Sequence, residues 1–155
     1  MKIAINCRSF LARHYTGIGR YAYNLVTSLA EIDEENEYYL YCRKGLFDWE
    51  KRLPHIGKRN FHTKWDWAKR GFEKTVPNAD IYHAPSPEFL PQTKAKIIVT
   101  AQDFVYKTYP SVHTKDAIET TDKQMREIAK RAWKIICCSE STRTDLHTYF
   151  PETKD

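Results

Sequence analysis

The chain has 155 residues, 41% hydrophobic, 14% aromatic and 29% charged, with a formal net charge of +5. A chain of this length buries roughly 70% of its unfolded surface around one core. Ten Tyr, seven Phe and four Trp exclude a disordered chain, and no apolar run approaches the ~20 residues that span a bilayer.

The N-terminus turns polar at Asn6, too early for a signal peptide, so one folded cytoplasmic domain over residues 1–155 is expected. Lys2 to Asn6 reads as a short apolar strand. Ile18, Tyr21, Ala22, Leu25, Leu29 and Ile32 then recur at helical spacing, with Thr16 as N-cap and the acidic stretch Asp33 to Glu37 as the stop. Tyr38 to Cys42 is a second strand. Residues 43–75 are the least regular, with a strand over Phe61 to Trp65 and a short helix after it. Ile81 to His83 is a strand end, followed by a loop stiffened by Pro85, Pro87 and Pro91. Lys96 to Thr100 (KIIVT) reads as a strand buried on both faces, as central parallel strands are. A helix over Thr114 to Arg131 leads to a second central strand, Lys134 to Cys138 (KIICC), and Ser139 caps a last helix ending near Phe150. This alternation predicts an α/β fold: a Rossmann-like, doubly wound, mostly parallel sheet with helices on both faces.

In such sheets ligands bind outside the carboxyl ends of the strands. Three segments fall there. Thr16-Gly17-Ile18-Gly19-Arg20 places two glycines at a helix start, where unpaired N–H groups favour an anion. The glycines serve either a ligand or the turn, and Arg20 opposes the macrodipole unless solvated or beside an anion. His83 stands at a strand mouth, as a hydrogen-bonded structural residue or a ligand contact, and the loop from Ala84 to Pro91 walls a pocket or only connects elements. Gln102-Asp103 follows KIIVT directly; Asp103 either addresses a ligand or caps the next turn with its carboxylate. Ser139, Ser141 and Thr142 read as a cap with solvated hydroxyls. The four cysteines, Cys7, Cys42, Cys137 and Cys138, have no metal-ligand spacing, and most sit in strand-like runs as small hydrophobes, so neither a disulfide framework nor a metal site is expected. Lys51, Arg52, Lys58, Arg59, Lys64, Lys69 and Arg70 concentrate the positive charge, as a solvated face or a surface for an anionic partner.

The order MKIAINCRSF, TGIGRYAYNLVTSLAEIDEENEYYLY, ADIYHAPSPEFLP, KIIVTAQDFVYKTYP and KIICCSESTRTDL resembles the N-terminal domain of family 4 (group 1) glycosyltransferases of the GT-B fold. The resemblance is weakest over residues 43–75. It implies the acceptor-side half of a retaining enzyme that moves a sugar from a nucleotide-diphosphate sugar to a glycan or lipid-linked acceptor, with no cofactor and no required metal. Carried over by position, Gly17 and Gly19 face the donor diphosphate, Arg20 lies near acceptor or phosphate, and His83 and Ser86 line the acceptor side. Gln102 and Asp103 take the catalytic position.

Many relatives read His-Asp where this chain reads Gln102-Asp103, and Gln hydrogen-bonds a sugar hydroxyl without carrying a proton. The chain stops at Asp155, before the donor-binding half, so the isolated chain is expected to be inactive. The donor would then be gripped mainly by that other half. The alternative is a stand-alone carbohydrate- or nucleotide-binding module without catalysis. No nucleic-acid partner is expected, because no such motif accompanies the charge. A peripheral contact with the inner face of a membrane fits the basic stretch. Phe10, Leu11, Phe89 and Leu90 are expected to form an apolar patch that promotes weak self-association.

Overall fold

The computed structural model describes residues 1–11, 16–44, 53, 55–67 and 70–153. In chain order the elements are β1 (Lys2–Asn6), α1 (Gly17–Ile32), β2 (Glu37–Lys44), β3 (Phe61–Trp67), α2 (Phe72–Thr75) and β4 (Ile81–Ala84). There follow β5 (Lys96–Ala101), α3 (Val105–Thr108), α4 (Lys115–Arg131), β6 (Lys134–Cys137) and α5 (Glu140–Tyr149). The six strands form one sheet in the order β3-β2-β1-β4-β5-β6, the order of a Rossmann sheet. The β1–β2, β1–β4, β2–β3 and β5–β6 pairings are all parallel. The expected doubly wound α/β class is therefore the observed one. The chain divides into two compact units, Met1–Pro85 with Pro91–Lys96, and Ser86–Leu90 with Ile97–Asp155.

In the first unit, alternation sorts the side chains onto two faces. Ile5, Tyr38 and Leu40 point one way and close over Ala22 and Val26 of α1, all nearly or fully buried. Phe61 extends this layer by stacking on Tyr38, ring centroids 4.5 Å apart. On the other face Tyr41 and Tyr82 receive Phe72 of α2 edge-on, at 5.3 and 4.8 Å. Helix α1 starts where Thr16 Oγ1 accepts the Gly19 N–H at 3.3 Å and stops at Asp33. The Asp33 carboxylate accepts from Asn36 Nδ2 at 2.6 Å, the Asn36 and Glu35 amides and Tyr38 OH at 2.8 Å. These donors, the Asn36 side chain first, hold its carboxyl far below the usual range.

The second unit is organised by Phe104, which lies 6.3 Å from Tyr106, 6.2 Å from Tyr149 and 6.0 Å from Phe150. Met125, Ile128 and Leu146 add the buried faces of α4 and α5. Both helices begin on hydroxyl caps, Thr114 to the Ala117 amide at 3.3 Å and Ser139 to the Thr142 amide at 3.1 Å.

The tertiary structure corrects one strand. KIICC is not a second central strand: β6 ends the sheet order, and Ile136 remains 43% exposed. A run of apolar residues reads alike at an edge and in the middle, because position in a sheet is set by pairing partners. KIIVT is central as expected, with Ile97, Val99 and Thr100 buried, Ile98 half-buried and Lys96 exposed at its start. Strands β2 and β3 run beyond their expected ends at Cys42 and Trp65, to Lys44 and Trp67.

Asp66 of β3 is fully buried. Its Oδ2 accepts from Tyr41 OH at 2.9 Å and pairs with Arg43 Nε at 3.5 Å, while Oδ1 accepts the Gly71 N–H at 3.2 Å. Gly71 takes φ +95, a conformation suited to glycine, so this carboxylate fixes the entry to α2. Asp66→Ala strands a buried hydroxyl and an amide, and should cost about 2–4 kcal/mol in urea unfolding, with Asp66→Asn recovering part of the loss.

Candidate functional site

The strand order reverses between β1 and β4, and in an open α/β sheet this is where a crevice opens at the carboxyl ends. Asn6 ends β1 there. It is 9% exposed, and its side chain ties three elements together. Nδ2 donates to Tyr82 OH on β4 at 2.9 Å, and Oδ1 accepts the Arg8 N–H at 2.9 Å. The next residue, Cys7, still donates its amide to Tyr41 O at 2.8 Å before the chain leaves the sheet through a 3-10 turn over Arg8–Phe10. Asn6 thus sets the direction in which the chain leaves β1.

His83 stands on β4 in register with Ile5, on the α1 side of the sheet. It is 8% exposed, and burial pushes its pKa down to about 4. The imidazole is neutral at physiological pH and offers one donor and one acceptor nitrogen instead of a charge.

At the start of α1, Gly17 and Arg20 are exposed and Gly19 is buried. A Cβ built on Gly17 meets nothing within 4 Å, and its φ is not positive. Neither backbone conformation nor packing within the described residues demands glycine at this position. The first turn carries no acidic residue, so the terminus keeps its positive end.

Ser86, Gln102 and Asp103 belong to the second unit. Ser86 is half-buried in the loop after β4. Asp103 is exposed and closes the next turn: its Oδ1 accepts the Val105 N–H two residues on at 3.1 Å, just before α3, whose N-cap Phe104 carries no side-chain cap bond. The backbone carbonyl of Gln102 accepts from Thr142 Oγ1 at 3.0 Å and from Cys138 Sγ at 2.8 Å. The exit of β5 is therefore pinned to the start of α5. Thr142 is a buried pin with this second bond, not the solvated hydroxyl the sequence suggests.

Asn6 and Tyr82 are the residues that sequence reading passed over, whereas Thr142 reads there only as a solvated hydroxyl and Cys138 only as the end of a strand. The one available signal was Asn6, a polar residue closing the apolar strand KIAIN. The expected apolar patch is only partly present. Phe89 is 54% exposed, but Leu90 is buried at 7%, turned inward by the proline-rich loop, and Leu11 is half-buried. The Phe10 side chain lies outside the described residues, as do Lys51, Arg52 and Lys69 of the basic stretch. Lys58, Arg59, Lys64 and Arg70 are exposed. Among the described residues no group of three metal-ligating side chains comes together, and no helix is long and apolar enough to cross a membrane.

No family model matches the chain. It is 26% identical over 162 residues to the O-antigen chain mannosyltransferase B of Escherichia coli, a similarity that covers 87% of this chain and 40% of that protein. The chain therefore spans well under half the length of this relative.

Two expectations follow from the site. If glycine at 17 serves a ligand and not the fold, Gly17→Ala should leave thermal stability unchanged or raise it by roughly 0.4–1 kcal/mol; a clear loss would make the glycine structural. For His83 the folded pKa, about 4, lies below the ordinary 6.5. The unfolded chain then binds the extra proton between these values, so this contribution is complete above pH 6.5 and falls as pH drops towards 4. The loss should reach about 3 kcal/mol. His83→Gln should flatten that part of a stability–pH curve followed by urea denaturation.

Proposed function

We propose that this chain is the acceptor-side half of a retaining glycosyltransferase of the GT-B, group 1 type. The donor is a nucleotide-diphosphate sugar, the acceptor a glycan or lipid-linked sugar, and no metal is required. The observation that carries the reading is the similarity to a mannosyltransferase along most of this chain. The parallel sheet in Rossmann order supports it, since that architecture gathers polar strand exits at one end.

In this reading the exposed Gly17 at the start of α1 lets the donor diphosphate approach the helix terminus, Arg20 adds charge there, and Gly19, buried with its N–H given to the Thr16 cap, lets the first turn pack closely behind that approach. His83, held neutral by burial, hydrogen-bonds acceptor hydroxyls and does not act as a cation. Ser86 offers a further hydroxyl from the loop after β4. Gln102 supplies an amide to a sugar hydroxyl from a turn whose carbonyl is already fixed. Asp103 has one carboxylate oxygen committed to Val105, so its role is to shape that turn and present the remaining oxygen. The other half of the enzyme grips the nucleotide, and this chain alone does not transfer sugar. Peripheral contact with an anionic membrane through the exposed basic residues of the 58–70 stretch fits a lipid-linked acceptor.

Isothermal titration of the isolated chain with nucleotide-diphosphate sugars tests the assignment. The expected result is no binding in the submillimolar range, with oligosaccharide acceptors binding weakly. Submillimolar binding of a nucleotide sugar would overturn the acceptor-side assignment and favour a self-sufficient binding module.

A further inference from the structure

Cys137 closes β6, and Cys138 follows in the bend before the Ser139 cap, so two thiols occupy consecutive residues at the carboxyl end of this strand. Cys7 and Cys42 are buried in the first unit, whereas Cys137 is half-buried and Cys138 is exposed. Both line an open groove of about 700 Å³ on the second unit, together with Lys134, Ser139, Glu140 and Arg143. The Cys138 thiol is also one of two donors to the Gln102 carbonyl, at 2.8 Å, the other being Thr142 Oγ1 at 3.0 Å.

We infer that Cys137 and Cys138 form a vicinal dithiol that closes to a disulfide by exchange with a small-molecule disulfide, and that closure withdraws Cys138 from the Gln102 carbonyl. Oxidised glutathione is of the right chemical class. Its carboxylates suit a groove edged by Lys134 and Arg143, although Glu140 shares Arg143 at 2.7 Å.

Cys138 reacts first because it is exposed, whereas burial and the neighbouring Cys138 both raise the Cys137 pKa. The Cys138 thiolate attacks one sulfur of the oxidant and expels a thiolate, leaving a mixed disulfide. The Cys137 thiolate then attacks Cys138 Sγ and expels the second. The two cysteines lose two electrons, the small disulfide gains them, and the two protons end on the released thiols. Adjacent Cα atoms are about 3.8 Å apart, closer than the roughly 4.4–6.8 Å of an ordinary disulfide. The bridge therefore forms only with local distortion and reopens readily, the behaviour of a regulatory disulfide rather than a structural one.

Closure removes the Sγ donor from Gln102 and strains the bend that carries the Cys138 amide, which donates to Ala101 O at 3.4 Å. The turn from Gln102 to Val105 then keeps Thr142 and the Asp103–Val105 bond but loses its third restraint. The bearing of this loosening on sugar transfer rests on the function proposed above; the thiol chemistry and the turn's response do not.

The test uses the whole chain incubated with oxidised glutathione, followed by thiol blocking, peptide mapping and amide hydrogen exchange. A Cys137–Cys138 bridge should form, reverse with dithiothreitol, and be absent in Cys137→Ser and Cys138→Ser. Exchange over residues 102–105 should accelerate about tenfold when the bridge closes, as expected for one lost hydrogen bond. Phenylarsine oxide, which needs two thiols and no oxidant, should be retained by the reduced chain and not by either variant. Glutathione that remains on Cys138 without an internal bridge, or a bridge to another cysteine, would overturn the dithiol. A bridge that leaves exchange at 102–105 unchanged would overturn the link to Gln102. Neither readout involves a sugar or a nucleotide, so a failure here is distinct from a failure of the proposed function.

Discussion

Two parallel strands cannot be joined by a tight turn, and this constraint organises the molecule. Each return to the same end of the sheet needs a crossover, which is usually helical. Here α1 supplies it between β1 and β2, and α4 between β5 and β6. Strands covered by crossovers are buried, and the central β1 and β5 read as nearly continuous apolar runs, whereas the edge strands β3 and β6 keep exposed positions. Within each unit the same constraint leaves the strand exits as the places where polar residues follow apolar runs. Asn6 ends β1, His83 stands next to last in β4, and Gln102 follows β5 for this reason.

What holds each exit in place is a small number of polar contacts buried among apolar ones. Asn6 bridges Tyr82 and the Arg8 amide, Asp66 bridges Tyr41 and the Gly71 amide, and the Gln102 carbonyl takes two donors. A buried polar group left unpaired costs about 1–3 kcal/mol, so each of these junctions fixes one backbone path against its alternatives. The burial that makes His83 a neutral hydrogen-bonding group follows from the same layering: it sits in register with Ile5 beneath the α1 side of the sheet. Fixed, uncharged partners of this kind suit recognition of neutral hydroxyl groups, as the function proposed above requires, because their geometry discriminates without long-range attraction.

The proposed dithiol stands apart from these junctions in one respect. The Asn6 and Asp66 contacts are shielded, whereas Cys138 donates to Gln102 from an exposed position in the bend that follows the edge strand β6. An edge leaves groups open to solvent and to reagents that a central strand would exclude. That difference makes one restraint on the β5 exit chemically addressable while Thr142, 4% exposed, stays fixed.

The amino-acid sequence determined the element order, the parallel α/β class, and the caps at Thr16 and Ser139, because these depend on local periodicity and on side chains within a few residues of one another. It located Gly17, Gly19, Arg20, His83, Ser86, Gln102 and Asp103 at strand exits or a helix start by the same local logic. Tertiary structure alone decided that KIICC is an edge strand, that Leu90 turns inward, and that Thr142 and Cys138 hold Gln102. It also brought Asn6 to Tyr82 across 76 residues. Each of these depends on which strand pairs with which and on which surfaces meet. Such long-range choices are fixed by the total burial of the folded chain and leave no periodic trace in the segment that carries them.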